Sequence, residues 1–322
     1  MKEFSLIDKY FRPLTRDFTG ALELRDDAGY LTVPAGQELV VTKDLLLEDV
    51  HFFGDDDPGL IAQKSLRVNL SDLAAKGARP LAYSLGLVLP LNRWEGVNDS
   101  WLAQFAKGLE KDQKQFGISL LGGDTTSGDQ LTISIAAYGL IPNGRRILRG
   151  GAKPGDIVFT TGTIGDAGAV LYLKRKKMNV PPELMQRYLL PQPRLGLIEK
   201  LREAGAVNAA IDVSDGLMAD LRHILDASGT GGKLYLKQMP VSPQAQDFIN
   251  HFNVPLESLA GMGDDYEIVF TSPVSVQKQV QEIANSLNIP VQAIGEITVE
   301  KEYRIFNGQG QKIQPIKLGY EH

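Results

Sequence analysis

Cysteine is absent from the 322 residues. That excludes a disulfide framework, a zinc thiolate site and a cysteine nucleophile. Long apolar runs are also missing: nothing approaches the ~18–20 residues of a membrane helix. The opening Met1-Lys2-Glu3-Phe4-Ser5-Leu6-Ile7-Asp8-Lys9 spaces its charges too closely for a signal-peptide core. A cytoplasmic protein without a membrane partner is expected. Positive charge is not in excess, since 34 Lys and Arg stand against 39 Asp and Glu for a net charge of −5. A nucleic-acid binder would need clustered cations, so none is expected. An anionic nucleotide remains possible as a ligand, provided metal cations stand between it and the protein. The four histidines, His51, His223, His251 and His322, share no zinc-like spacing. The familiar nucleotide motifs are lacking as well. Gly232-Lys233 runs into Leu234, so there is no Walker A loop, and Gly229-Thr230-Gly231-Gly232 fails the dinucleotide fingerprint. Protein-kinase signatures are absent.

What is present is a chain with 43% hydrophobic and 23% charged residues, enough for real cores. Its length suits two domains. Strand-like and helix-like stretches alternate, a mixed α/β and α+β pattern. Strands are expected at Leu39–Thr42 (ending at Lys43-Asp44), Ala82–Leu89, Ile118–Leu121, Thr132–Ile141, Ile157–Thr161, Val207–Val213 and Asp265–Thr271. Helices are expected at Leu60–Lys76, Trp94–Phe116 and between Pro181-Pro182 and Pro191. Two turn clusters, Pro142–Arg146 and Arg149–Asp156, mark a boundary, giving domains 1–144 and 145–322.

Carboxylates at strand ends and glycine turns stand out: Asp26-Asp27, Asp44, Asp72, Asp124, Asp212, Asp215 and Asp264-Asp265. Leu120-Leu121-Gly122-Gly123-Asp124 and Ala209-Ala210-Ile211-Asp212 each deliver an acid from an apolar segment to the rim of a core. Several acids gathered there would repel unless a cation is present. Mg²⁺ takes one or two carboxylates plus waters and phosphate oxygens, so single Asp residues from separate loops suit ions bridging a polyphosphate. Any one Asp is equally a turn or cap residue; only the set points to function. The run Asp55-Asp56-Asp57 reads as a solvated loop.

In order along nearly the whole chain, these stretches resemble the thiamine-monophosphate kinase family, within the superfamily of aminoimidazole ribonucleotide synthetase. The resemblance is carried by Glu3–Ile7, Asp26-Asp27-Ala28, Val41-Thr42-Lys43-Asp44 through Val50-His51-Phe52, and Asn69–Ala78. It continues in Gly122–Thr126, Arg149 with Gly151–Asp156, Ile211–Gly216, Asp265-Tyr266-Glu267 and the terminal Gly319-Tyr320-Glu321-His322. It implies a two-domain synthetase-like fold: an N-terminal ATP- and metal-binding domain whose sheet forms a barrel-like core in a homodimer, and a C-terminal α+β domain. It implies Mg²⁺ on Asp27, Thr42, Asp44, Asp72, Asp124, Asp212 and Asp215. ATP would meet Gly123, Asp124, Arg149 and Ser214, and thiamine monophosphate would meet His51, Asp264 and Tyr320. Asp124, Arg149 and Asp212 are the implied catalytic residues. Three departures from the family pattern stand in this sequence: Lys43 for a small hydroxyl residue, Arg25 for the glycine before the paired acids, and Asp264 for Glu.

The expected reaction is direct in-line transfer. The acceptor is a phosphate monoester, with a second pKa near ~6, so its oxygen is already ionised and needs no general base. Two alternatives stay open from the sequence: a sister synthetase or ligase with another phosphorylated acceptor, and a non-catalytic acidic metal binder. Relatives that depend on cysteine or selenocysteine do not fit a chain that has none.

Overall fold

The computed structural model describes residues 3–15, 18–90 and 99–320. Short helical turns, beginning with α1 (Glu3–Leu6), lead through Thr19–Leu24 to β1 (Gln37–Leu47). Then come α2 (Pro58–Ala75), β2 (Arg79–Leu89), α3 (Asp99–Phe116), β3 (Ser119–Ser127) and β4 (Thr132–Pro142). The second half runs β5 (Asp156–Thr161), α4 (Asp166–Arg175), α5 (Pro182–Leu189), α6 (Leu197–Glu203), β6 (Ala209–Asp212), α7 (Leu217–Ser228) and β7 (Gly231–Tyr235). It ends with α8 (Pro243–Phe252), α9 (Leu256–Ala260), β8 (Ile268–Pro273), α10 (Gln277–Ser286), β9 (Val291–Thr298), β10 (Tyr303–Phe306) and β11 (Lys312–Ile313). The chain divides into two compact units. One holds residues 1–73 and 78–144, the other 74–77 and 145–322. Among the described residues no helix is long and apolar enough to cross a membrane.

In the first unit four strands form an open sheet in the order β1-β4-β2-β3, with β2 and β3 parallel and the other pairs antiparallel. The sheet does not close into a barrel among the described residues. Period-2 alternation buries Leu85, Leu87, Leu89, Ile133, Ile135 and Ala137 on one face. Both long helices lie on that face, tied by Thr42 to Asp72 of α2 and by Tyr83 to Gln113 of α3 at 3.1 Å. A buried bidentate pair fixes the helices to each other: Arg67 donates to Asp112 at 2.7 and 2.9 Å, with Gln63 on the same carboxylate at 2.6 Å. On the other face Val41 and Leu45 of β1 are 57% and 52% exposed.

The second unit is a seven-stranded sheet, β11-β10-β7-β9-β5-β8-β6, mostly antiparallel. Its core joins Phe159, Phe270, Ile198, Leu201 and Val280, with Ala74 and Ala75 packed in the same cluster.

Several boundaries differ from the sequence expectation. The first strand runs on through Lys43 and Asp44 to Leu47, so Asp44 lies within a strand rather than at its end. The third strand runs through Gly122-Gly123-Asp124. The strand expected at Asp265–Thr271 is β8 and starts at Ile268, because Asp264 and Tyr266 adopt φ of 65° and 52°. Asp56 is buried and accepts from the Phe53 amide at 3.0 Å, while Asp57 accepts from Leu60 at the start of α2; the acidic run is a turn whose outer acids, Asp55 and Asp57, are exposed and whose middle acid is folded in. Residues 94–98 of the expected Trp94–Phe116 helix lie outside the described residues, as do Glu321 and His322.

Candidate active site

In the first unit the expected ligands fall into two groupings. The first surrounds the β1–α2 contact. Thr42 and Asp44 are half-buried on the helix-covered face of β1, and the Thr42 hydroxyl donates to Asp72 on α2. Burial, reinforced by the charge of Asp72, pushes the Asp44 carboxyl up to about 7. Three residues before Asp72, on the same helix face, the buried Asn69 Oδ1 has no hydrogen-bond partner among the described residues. Lys43, by contrast, is exposed on the opposite side of the strand. Its side chain therefore does not enter this grouping.

The second grouping lines a pocket of about 250 Å³ that includes Asp26, Asp27, Gly123 and Asp124, with apolar walls from Phe4, Phe11 and Leu120. Asp27 and Asp124 are both exposed. Asp124 accepts from the Thr125 amide at 2.8 Å. Gly123 is required here, because a Cβ would collide with the carbonyl oxygen of Leu85 on the neighbouring strand. Leading into Asp26-Asp27, Leu22, Glu23 and Leu24 all have positive φ, 49°, 56° and 54°. A left-handed turn of non-glycine residues costs roughly 1–2 kcal/mol each, so this loop is held in shape by its surroundings. Arg25, exposed, stands just after that turn. Asp44, Ile135, Leu85 and Gly123 form one row across all four strands. The two groupings thus stand near opposite sheet edges, roughly 14 Å apart at ~4.8 Å per strand.

His51 sits on the turn after β1. Its Nδ1 accepts from the Leu47 amide at 3.1 Å, and its carbonyl accepts from the buried Lys64 at 3.0 Å.

In the second unit β6 delivers Asp212, 5% exposed, and then a turn carrying exposed Ser214 and half-buried Asp215. The Ser214 carbonyl accepts from the Asp264 amide and the Asp215 carbonyl from the Tyr320 amide, both at 2.8 Å. Asp212, Ser214, Asp215, Asp264 and Tyr320 are thereby brought to one place. Arg149, exposed, adjoins Leu148, whose carbonyl accepts from Ala210 of β6 at 3.1 Å.

Sequence reasoning missed two features here. Asp220 falls on the apolar face of α7 with Leu217, Leu221 and Ile224, a buried acid where the 3.6-residue period calls for a hydrophobe. That mismatch is the signal that could have singled it out. Burial, then the charge of Asp215, pushes its carboxyl up to about 7. The second feature is a buried ionic network. Glu267 accepts from Arg187 at 2.6 Å, Arg194 at 2.5 and 2.6 Å, and Thr161 at 2.6 Å. Asp166 accepts from Arg187 at 3.4 Å, and Asp265 accepts from the Gly165 amide at 2.9 Å. Burial drives the Asp265 carboxyl well up from its usual range. The network joins residues from five segments, and no local pattern announces it.

Residues 25–141 match the family model for the N-terminal domain of AIR synthase related proteins, and residues 153–307 match that for the C-terminal domain. The thiamine-monophosphate kinase of Caulobacter vibrioides is 40% identical over 99% of this chain and 90% of its own length. The chain belongs to the thiamine-monophosphate kinase family. Among solved structures, the thiamine-monophosphate kinase from Stenotrophomonas maltophilia K279a superposes with a TM-score of 0.84 at 34% identity, covering 97% of this chain and 98% of the other. A structure of AaThiL complexed with AMPPCP and TMP gives 0.77 at 27% identity, covering 99% and 97%. The two segments matched by the AIR synthase related models, 25–141 and 153–307, contain the candidate acids of each unit.

Proposed function

We propose that this chain transfers the γ-phosphoryl group of ATP to thiamine monophosphate, giving thiamine diphosphate and ADP. One observation carries this reading: end-to-end similarity to thiamine-monophosphate kinases, with the family's acids, Gly123 and Ser214 present on β1, α2, β3, β6 and the adjoining turns. The relative complexed with an ATP analogue and TMP supports the same pair of substrates.

The donor set fits Mg²⁺. It consists of hard oxygens only, and Asp44, whose carboxyl is pushed up by burial and then by the charge of Asp72, would be favoured in its charged form by a cation. Asp27, Thr42, Asp44, Asp72, Asp124, Asp212 and Asp215 would hold more than one Mg²⁺ ion, since the two groupings of the first unit stand too far apart to share one. When bound, these ions would neutralise charge on the triphosphate and the acceptor phosphate. The chain's own residues do the rest. Gly123 lets β3 run close against Leu85 and so places Asp124 at the pocket, and Ser214 is exposed on its turn. The exposed Arg149 offers a guanidinium to the transferring oxygens. Because His51 Nδ1 accepts a backbone N–H, a neutral His51 carries its proton on Nε2 and can donate it to the acceptor phosphate. Asp264 and Tyr320 border the turn from the far side of the chain. The acceptor phosphate oxygen attacks the γ-phosphorus as the bond to the β–γ bridging oxygen breaks, and the electron pair leaves with ADP. No residue takes a covalent phosphoryl group.

We further propose a homodimer with a barrel-like core. The open sheet exposes Val41 and Leu45, and the two ligand groupings stand near opposite edges. A second copy closing over both edges would cover the apolar face. An ATP-consuming enzyme works where ATP is made, so the cytoplasm is the proposed compartment.

The test is incubation of the pure protein with Mg-ATP and a panel of phosphorylated acceptors. Thiamine diphosphate as the dominant product supports the proposal. ATP turnover with a different acceptor supports a sister synthetase, and no turnover supports a metal-binding protein alone. A radiolabelled phosphoprotein would refute direct transfer.

A further inference from the structure

Asp220 is 1% exposed, lies in the first turn of α7 and is not among the expected ligands. Its Oδ2 accepts three backbone amides at once: Ser214, Asp215 and Gly216, each at 3.1 Å. Convergence of three successive N–H groups on one oxygen requires a folded turn. Gly216 supplies it, at φ 124° and ψ 146°, a conformation other residues rarely reach. The carbonyls of the same turn are also engaged. Ser214 O accepts from Asp264, Asp215 O from Tyr320, and Gly216 O from Asp220 itself at 3.0 Å. Two close approaches fit this clamp: a Cβ on Gly263 would collide with Ser214 O, and one on Gly319 would lie 2.6 Å from the Ala219 Cβ. Every amide and carbonyl from Ser214 to Gly216 therefore has a named partner, and one carboxylate oxygen holds all three amides.

We propose that Asp220 is a positioning residue: by gathering these three amides it fixes the direction of the Asp215 carboxylate and the Ser214 hydroxyl toward the metal-bound nucleotide. This rests on the kinase reading for what the turn binds, but not for what Asp220 does to the turn. A hydrophobic side chain would suit the apolar face of α7 better, and Asp215 repels a second acid nearby. An acid persists there because the turn needs an acceptor at that point. It needs the oxygen more than the charge, so an amide oxygen at the same position can serve.

The test compares the full-length protein with Asp220→Asn and Asp220→Ala. Hydrogen–deuterium exchange is followed across residues 213–217, and the Mg²⁺ dependence of binding to a non-hydrolysable ATP analogue is measured without any acceptor. Ala is expected to speed exchange in that segment and raise the half-saturating Mg²⁺ by about tenfold or more, with other segments protected as before. Asn is expected to stay close to the parent in both readouts. Equal defects in Ala and Asn would overturn the proposal, since charge would then matter and not amide gathering. Parent-like exchange in Ala would overturn it too. If Ala does not fold, Asn decides alone: parent-like exchange and Mg²⁺ dependence support amide gathering, and a loss as large as about tenfold contradicts it. Neither readout needs turnover, so a parent that makes no thiamine diphosphate would count against the kinase reading and leave this result interpretable.

Discussion

Asp44 shows how a single side chain records what its site is built to receive. Burial beside Asp72 lifts its carboxyl to about 7 from an ordinary 3.8. Between those values the folded state binds more protons than the unfolded one, so this group's contribution to stability falls as pH rises through the window and levels off above about pH 7. In chelator, Asp44→Asn is expected to melt like the parent near pH 4. It should become progressively more stable than the parent toward pH 8, by roughly 1–4 kcal/mol at most. Thermal scans at several pH values check this. Added Mg²⁺ at pH 8 should stabilise the parent more than the variant. A pH-independent difference, or a variant less stable at pH 8, would contradict the assignment. Asp220 also titrates near 7, but it is common to both proteins and cancels in the comparison.

At the scale of elements, the second unit depends on one buried carboxylate. Glu267 is 0% exposed and takes Arg187, Arg194 and Thr161, joining α5 and the loop after it to the start of β8. Glu267→Gln removes the charge facing Arg194 and leaves Arg187 with Asp166 alone, and is expected to cost about 3–5 kcal/mol, read as a lower urea midpoint. An unchanged midpoint would show the network to be dispensable. Most elements were legible from periodicity and punctuation: α2, β2, β4, β5, β6 and the Pro-bracketed α5 emerge within a few residues of their expected ends. The misses have physical causes. Gly122 and Gly123 read as strand breakers, yet they sit inside β3 just past a bulge, between Tyr83/Ser84 on the partner strand, where Gly123 admits Leu85 O. Asp44 reads as a strand terminus because polar residues end apolar runs; here β1 is an edge strand, and Asp44 stands half-buried within it beside Asp72. Asp264 and Tyr266 break the expected strand by adopting positive φ, which no one-residue propensity foretells. Motifs in order supplied the candidate site residues, but not the long-range clamp on Ser214–Gly216 nor the Glu267 network, whose partners are dispersed in sequence.

At the scale of the whole molecule, the open face of the four-stranded sheet bears on assembly. Val41 and Leu45 project from an edge strand into solvent in the single chain. Such edges are ordinarily covered or blunted by charge, and between Val41 and Leu45 only Lys43 puts a charged residue on that face. The proposed homodimer predicts that the parent sediments as a dimer at micromolar concentration, and that Val41→Asp with Leu45→Asp shifts it to monomer. A monomeric parent would contradict the proposed dimer. The kinase account itself is tested most directly by ³¹P NMR of the protein mixed with Mg-ATP and thiamine monophosphate. It predicts that the monophosphate signal is replaced by the paired diphosphate signals of thiamine diphosphate as ADP accumulates, with Asp124→Asn folded but silent. Loss of ATP to inorganic phosphate with the thiamine monophosphate signal untouched, or an Asp124→Asn variant as active as the parent, would contradict it.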